Sequence, residues 1–210
     1  MLMRTTMCCC AAAAWTSAAH AQQALFSNAS PFPNTPALAL SPTTASGITV
    51  PGGGLWSEVQ SLSTLEANAQ SGIACQSDSA GGVRTADNFT VPPGEAWTLS
   101  RLHLYVYEAG AVGLTSPVSV ATLRIWYATP GAGGQVVWGD TITNRFSSAT
   151  PTSIFRVFNT EVGPTTTPPD TGRRVFEVIL DAPTTLGPGE YWLDWQLTPT
   201  NPNAWLFAVP

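Results

Sequence analysis

The sequence predicts an all-β protein, an antiparallel β-sandwich of jelly-roll-like form behind a disordered N-terminal leader. From Val83 to Pro210, short runs of β-branched and aromatic residues alternate with turns that contain Pro and Gly. Apolar and polar residues alternate strictly around Leu102, Leu104 and Val106, as they do in a half-buried strand. No amphipathic helical pattern occurs in this part of the chain. These three observations favour two packed sheets.

Eight strands are predicted, each bounded by turn residues. They are Val83–Val91, Ala96–Tyr107, Val118–Ala128, Gln135–Thr143, Ser153–Phe158, Arg174–Asp181, Tyr191–Leu197 and Ala204–Val209. The inward parity of the second strand changes between Leu99 and Leu102, so we expect a β-bulge near Ser100 and Arg101.

Three further features concern how the strands are placed and connected. Val175 and Ile179 make the sixth strand apolar on both faces, which indicates a central position. Pro93-Gly94 and Pro188-Gly189 each precede a strand-opening aromatic residue, and they predict type II turns at equivalent corners. The segment Asn159–Gly172 predicts a long exposed loop, where a binding function would lie if the loops carry one.

The first 21 residues have the pattern of a secretory signal peptide. Arg4 precedes an apolar run from Met7 to Trp15, and the small residues Ala19 and Ala21 form a cleavage site before Gln22. The run is too short to span a bilayer, so no membrane span is predicted. We therefore expect the protein to be secreted, either extracellular or periplasmic.

Composition limits the classes of partner. Removal of the predicted signal peptide, residues 1–21, leaves 189 of the 210 residues, which is enough for one domain. This part contains seven arginines, no lysine and all 13 acidic residues. The net charge of this part is −6. Binding to nucleic acid requires a basic patch that neutralises phosphates, so we predict no nucleic-acid partner.

The rest of the chain divides into a leader and one domain. Residues 22–54 are rich in Pro, Ser, Thr and Ala, which predicts a weakly ordered leader. Residues 55–210 are predicted to form the β-sandwich. The spacing of Val59, Leu62 and Leu65 permits a short helix near the start of this domain.

Few residues suited to nucleophilic catalysis remain after cleavage. Cys75 is the only cysteine and His103 the only histidine. A catalytic cysteine requires a nearby base, and nothing in the local sequence pairs these two residues. The sequence favours a small, buried, unpaired role for Cys75.

Part of the chain resembles a group of bacterial secreted proteins that carry an A-D-D-F-T-V-P-A-G segment. The resemblance covers roughly residues 55–197 and rests on Thr85-Ala86-Asp87-Asn88-Phe89-Thr90-Val91-Pro92-Pro93-Gly94, Val137-Trp138-Gly139-Asp140, Asn144-Arg145 and Tyr191-Trp192-Leu193-Asp194-Trp195. It implies an exported β-sandwich and no defined activity. Asn88 stands where the group has a second Asp, which weakens any inference of a cation held by paired carboxylates.

Aromatic residues suggest a ligand-binding face. Strand parity places Trp126 and Trp192 on the side opposite the apolar residues next to them. With Tyr105 or Tyr107, they form a candidate platform on which sugar rings could stack. The alternative is that any of these side chains lies in the core, as most Trp residues do.

We predict no required cofactor, and calcium is the one possible ligand ion for which the sequence offers candidate residues. Asp87 with Asn88, and Asp140 with Asn144, supply the oxygen donors that calcium prefers, although no EF-hand spacing is present. The alternative is that these Asp and Asn side chains bond only to their own turns.

Three functions are consistent with these patterns. The first is a non-catalytic module that binds a polysaccharide or a surface protein, and the second is a structural component of a matrix or envelope. The third is a glycoside hydrolase, which needs two facing carboxylates about 5–10 Å apart. Its candidates are Asp140, Glu177, Glu190 and Asp194, with no motif to assign their roles. The sequence leaves the oligomeric state open.

Overall fold

The computed structural model describes residues 25–26, 40–61, 72–77, 82–111, 113–163, 166 and 168–209. The described chain forms eleven strands. They are β1 (Leu40–Ser41), β2 (Leu55–Val59), β3 (Ile73–Ala74), β4 (Thr85–Val91), β5 (Trp97–Glu108), β6 (Val118–Tyr127), β7 (Gln135–Asp140), β8 (Phe146–Phe158), β9 (Arg174–Leu186), β10 (Gly189–Pro199) and β11 (Leu206–Ala208). A seven-stranded sheet has the order β1-β2-β8-β9-β5-β11-β3, and a four-stranded sheet has the order β4-β10-β6-β7. The predicted all-β sandwich is confirmed.

The core lies between the two sheets and is built by alternate residues of the long strands. Its larger cluster contains Leu104 and Val106 of β5, Phe176 and Val178 of β9, and Leu123 of β6. A smaller cluster at one end consists of Phe89, Val91, Ile125, Leu186 and Tyr191. Burial of one face of each sheet fixes the strand register, since a slip of one residue would turn every core side chain outward.

Two predicted details of the sheets are confirmed. The pairing of β5 with β9 is shifted between Leu99 and Arg101, which is the expected position of the bulge. Strand β9 is the middle strand of the seven-stranded sheet, as its two apolar faces predicted. The main extension is in β8, which begins at Phe146 rather than Ser153.

The two Pro-Gly segments lie at the same end of the sandwich but differ in conformation. Gly94 has a φ of 84°, and the Glu95 amide donates to the Pro92 carbonyl at 3.1 Å, so the first is the predicted type II turn. Gly189 is already the first residue of β10 and has a φ of 155°, which does not fit a second type II turn. The pairing of Val91 with Gly189 places both connections at adjacent corners.

The predicted leader 22–54 is wrong over residues 40–54. This stretch pairs through β1 with β2 and then turns back so that Val50 is buried beside Trp56. The Trp56 indole nitrogen donates to the Ile48 carbonyl at 3.0 Å. Weak apolar periodicity hid this segment, because it contributes one or two buried residues rather than a stripe. Phe26 is also placed, with its ring centroid 5.8 Å from that of Phe89.

The prediction of a short helix around Val59, Leu62 and Leu65 is wrong at Val59. Residues Leu55–Val59 form β2, which runs parallel to β8. Leu62 and Leu65 lie outside the described residues, as do residues 1–21 with the predicted signal peptide. Within the described part of the chain, no helix has the length and apolar character needed to cross a membrane.

The connection between β8 and β9 is the predicted long loop, and its start is firmly anchored. Asn159 is 2% exposed and adopts a left-handed conformation with a φ of 51°. Its side-chain oxygen accepts hydrogen bonds from the Ser61 amide at 2.8 Å and the Ser61 hydroxyl at 2.9 Å. The loop therefore begins from a fixed corner beside β2.

Candidate functional site

The outer face of the four-stranded sheet carries a row of side chains that crosses all four strands. Trp126 of β6 is paired directly with Trp192 of β10. On one side the row continues to Val136 of β7, and on the other to Asn88 of β4. We call these four residues the tryptophan row. Both indoles are partly exposed, and Val136 is 42% exposed.

The next row along the strands is an ion cluster centred on Asp194. Its Oδ1 accepts a bond from Arg84 Nε at 2.5 Å, and its Oδ2 accepts bonds from Arg124 Nε at 2.8 Å and Nη2 at 2.5 Å. Arg84 also donates to the Asp194 carbonyl at 3.0 Å and to Thr122 Oγ1 at 2.9 Å. The carboxylate side chain is 6% exposed, and the two arginine side chains are 21% and 24% exposed. We call Arg84, Arg124 and Asp194 the Asp194 cluster.

The Asp194 cluster orients the Trp126 ring. The Trp126 indole nitrogen donates to Asp194 Oδ2 at 3.0 Å, and the Arg124 guanidinium lies 4.8 Å from the ring centroid. Charge-assisted hydrogen bonds that are partly shielded from water are strong, so they fix the orientation of the Trp126 ring. The Trp192 indole nitrogen is out of contact with solvent and has no hydrogen-bond partner among the described residues.

Local sequence allows the cluster to form. Val137 is an extra residue in β7, since Val136 pairs with Trp126 while Trp138 pairs with Ile125. This bulge brings Gly139 opposite Arg124 with a φ of 80°. A Cβ atom at position 139 would meet the Leu123 carbonyl oxygen at 2.1 Å, so only glycine fits.

The two candidate tyrosines lie on the other side of the molecule. Tyr105 and Tyr107 belong to β5, on the outer face of the seven-stranded sheet, and so cannot complete the tryptophan row. Tyr107 is 1% exposed and stacks on Phe207 with ring centroids 5.4 Å apart, so its assignment to a binding face is wrong. Tyr105 is partly buried, and burial together with the Glu177 carboxylate, 3.5 Å from its hydroxyl, raises its pKa.

The other described tryptophans serve mainly as core or corner residues. Trp56 and Trp195 are buried, and Trp97 and Trp138 pack against the clusters between the sheets. Trp205 is the exception, since it is 56% exposed and stacks on Phe207 next to the seven-stranded sheet. Parity therefore separates Trp126 and Trp192 from the core set.

The first calcium candidate, Asp87 with Asn88, has unsuitable geometry. These are consecutive residues of β4, and they pair with Leu193 and Trp192, which face opposite sides of the sheet. Their side chains cannot share one ion. Within the described ranges, no three His, Cys, Asp or Glu side chains lie close enough to hold a metal ion.

The second calcium candidate, Asp140 with Asn144, is occupied by its own turn. Asp140 accepts bonds from the amides of Ile142 and Thr143 at 2.8 and 2.5 Å and from the Thr143 hydroxyl at 2.7 Å. These bonds lower its pKa to about 2. Asn144 Oδ1 accepts from the amides of Ala121 and Phe146 at 3.1 and 3.0 Å. The arrangement fits the alternative in which these side chains stabilise the β7–β8 connection.

Three of the four candidate carboxylates, Glu177, Glu190 and Asp194, do not form a hydrolytic pair, and the fourth, Asp140, is engaged by its own turn. Glu177 lies on the outer face of the seven-stranded sheet, where its carboxylate is 2.9 Å from His103 Nδ1. Glu190 and Asp194 share the face of the tryptophan row, but four residues of extended strand separate their Cα atoms by about 13 Å. Both oxygens of Asp194 are already taken by N–H donors.

Cys75 is placed in the core, away from His103. Its thiol is fully buried and donates to the Leu206 carbonyl at 3.6 Å, and burial raises its pKa to about 12. His103 is exposed on the outer face of β5. The geometry therefore provides no activated nucleophile at this position.

The long loop contributes one shallow depression, with a volume of about 450 Å³. It is lined by Gly110, Asp170, Thr171, Gly172 and Arg173. Among the lining residues that the structure describes, the one ion pair joins Asp170 and Arg173 at 3.7 Å. The tryptophan row therefore presents more side chains in a fixed orientation for binding a ligand than this depression does.

Sequence reasoning missed the Asp194 cluster and Val136. A signal for the cluster was present, since Arg124 and Asp194 sit two residues from Trp126 and Trp192 and share their outward parity. The contribution of Arg84 depended on knowing that β4 pairs with β10. The resemblance to the secreted bacterial group stays a prediction. Comparison of the chain with family models, with curated proteins and with solved structures returned no match.

Proposed function

We propose that this protein is a secreted, non-catalytic module that binds a polysaccharide on the outer face of its four-stranded sheet. The observation that carries the proposal is the direct cross-strand pair Trp126–Trp192 on a solvent-facing surface. Indole rings stack well on the apolar faces of sugar rings, while nearby polar groups bond to the hydroxyls. The face provides both.

The energetics of the face support a binding role. Two tryptophans that remain partly exposed at adjacent positions give up part of the stabilisation that full burial would provide. Rigid placement by central strands and by an ion cluster around a buried carboxylate is typical of a binding surface that must keep its shape. The Asp194 cluster supplies that rigidity for Trp126.

The test is a glycan array probed with the purified protein, with and without calcium. We expect binding by the parent, loss of at least tenfold in affinity in Trp192→Ala, and no loss in Trp205→Ala. Trp205 is the matched control because it is an exposed tryptophan beside the other sheet. Circular dichroism and melting temperature establish that both variants fold. Absence of binding by the parent to any glycan would contradict the proposal.

A second candidate function, structural assembly through sheet edges, is favoured by one observation. Strand β7 is an edge strand of the four-stranded sheet, and its Val136 and Val137 are 42% and 49% exposed. Exposed apolar edges invite pairing with another chain. Concentration-dependent association in analytical ultracentrifugation without ligand, abolished by Val137→Lys, would favour this function over glycan binding.

A further inference from the structure

We propose that the ligand of the tryptophan row is an uncharged, linear polysaccharide whose chain runs across the strands. This inference rests on the proposed function and adds the direction, length and charge class of the ligand. Three observations carry it: the span of the row, its narrowness along the strands, and the charges that flank it.

The row is long in one direction only. Its four side chains occupy four neighbouring strands, which places the outer two about 14 Å apart. Along the strands it is one side chain wide, because Arg124 and Asp194 fill the next row on one side and Glu190 lies on the other. A chain of several sugar rings follows such a path, whereas a single ring covers only part of it.

The flanking charges cancel. The Asp194 cluster has two arginines and one carboxylate, which leaves one excess positive charge. The exposed carboxylate of Glu190, two residues from Trp192 on the same face, balances it. A polyanion would be repelled by Glu190 and by the net charge of −6 of residues 22–210. A polycation would be attracted by that net charge but repelled by the two arginines beside the row, so an uncharged chain fits best.

Polar groups at the row match hydroxyls. All three side-chain nitrogens of Arg84 are engaged within the sheet, whereas Arg124 uses only Nε and Nη2 in the bonds to Asp194. The Arg124 guanidinium lies over the Trp126 ring, 4.8 Å from its centroid, so a group rich in N–H donors borders the row at this point. At the far end, the exposed amide of Asn88 can both donate and accept. Such donors and acceptors can form hydrogen bonds with sugar hydroxyl groups, so the ligand itself needs no charge.

The test is affinity electrophoresis in native gels that contain one polymer each. The uncharged polymers are hydroxyethylcellulose, xyloglucan, galactomannan and mixed-linkage β-glucan, and the polyanions are polygalacturonate, alginate and chondroitin sulfate. We expect an uncharged polymer to retard the parent and Trp205→Ala but not Trp192→Ala, with no retardation by polyanions. Retardation should not change with added sodium chloride, since no counterions are released.

Oligosaccharides of the bound polymer provide a measurement that needs no variant. The concentration needed for half-maximal competition should fall at least tenfold from monosaccharide to trisaccharide. It should then change little for longer chains, because the row is already filled. A monosaccharide that competes as well as the longer chains would overturn the extended path. Retardation by a polyanion that is lost in Trp192→Ala would overturn the uncharged ligand while leaving glycan binding in place. Retardation by no polymer would overturn both.

Discussion

Trp126 and Trp192 are direct partners across β6 and β10 on the solvent side of the four-stranded sheet, while Ile125 and Leu193, one residue away in each strand, are partners on the core side. The same register thus places two apolar residues in the core and two indoles at the surface. A slip of β10 by one residue would turn Leu193 to the solvent side and Trp192 to the core side, and the packing of Leu193 against Ile125 in the core prevents it. Core packing therefore fixes the geometry of the candidate binding surface.

The first prediction concerns the Asp194 cluster. Asp194→Asn should lower the free energy of unfolding by about 3 kcal/mol, a fall in Tm of roughly 6–12 °C, because it leaves Arg84 and Arg124 close together without their anion. This loss lies at the low end of the range for broken buried ion pairs, because both arginines keep some contact with water. Urea unfolding monitored by circular dichroism measures it.

The control is Asp170→Asn, which removes the ion pair between Asp170 and Arg173 at 3.7 Å. The Asp170 side chain is 58% exposed. Exposed pairs of this kind contribute at most about 1 kcal/mol. Equal losses of unfolding free energy in the two variants would show that the Asp194 cluster stabilises the fold no more than an exposed ion pair does.

The second prediction concerns Cys75. Its thiol should not react with Ellman's reagent in the native protein at pH 8, and it should react on addition of denaturant, because burial raises its pKa to about 12. Stability should fall as pH rises from about 9 toward 12, since the unfolded thiol ionises first. The assay needs protein from which residues 1–21, with Cys8, Cys9 and Cys10, have been removed. Rapid native labelling would disprove the buried assignment.

The third prediction concerns Asp140 and acid. Its carboxylate has a pKa of about 2 in the folded protein, against about 3.9 in an unfolded chain. Its stabilising effect is therefore complete above pH 4 and is lost as pH falls toward 2. Asp140→Ala should be less stable than the parent at pH 6, and the difference in urea midpoint should shrink between pH 4 and pH 2. A difference that is independent of pH would contradict this account.

The fourth prediction concerns calcium. Millimolar calcium chloride followed by excess EDTA should leave Tm unchanged, because Asp140 bonds to its own turn and Asp87 and Asn88 point to opposite faces. Differential scanning fluorimetry measures the shift. A rise in Tm of several degrees that EDTA reverses would identify a site that this geometry does not anticipate.

Residue patterns carried most of the fold. Alternation along β5, β6 and β10 located the long strands, and the parity change near Leu99 located the bulge. The same parity put Trp126 and Trp192 outside, because a strand with one buried face leaves no alternative. Strand positions and side-chain facing could be predicted wherever they depend only on the alternation of neighbouring residues.

The failures share a physical cause, which is dependence on contacts distant in sequence. Tyr107 has outward parity but is covered by Phe207, about 100 residues later in the chain, which no local pattern reveals. Residues 40–54 look like a linker because their order depends on β2 and on Trp56. The burial of Asp194 depends on Arg84 and Arg124, which lie more than 60 residues earlier in the chain and which the local pattern around Asp194 does not reveal.

The most direct test of the central claim is the set of indole N–H signals in a ¹H–¹⁵N correlation spectrum during titration with the oligosaccharide that competes best. We predict that the signals of Trp126 and Trp192 shift together and saturate at one dissociation constant, while those of Trp56 and Trp195 in the core stay in place. Shifts confined to Trp205, or no shift of any indole signal with a glycan that the protein binds, would contradict the assignment of this face.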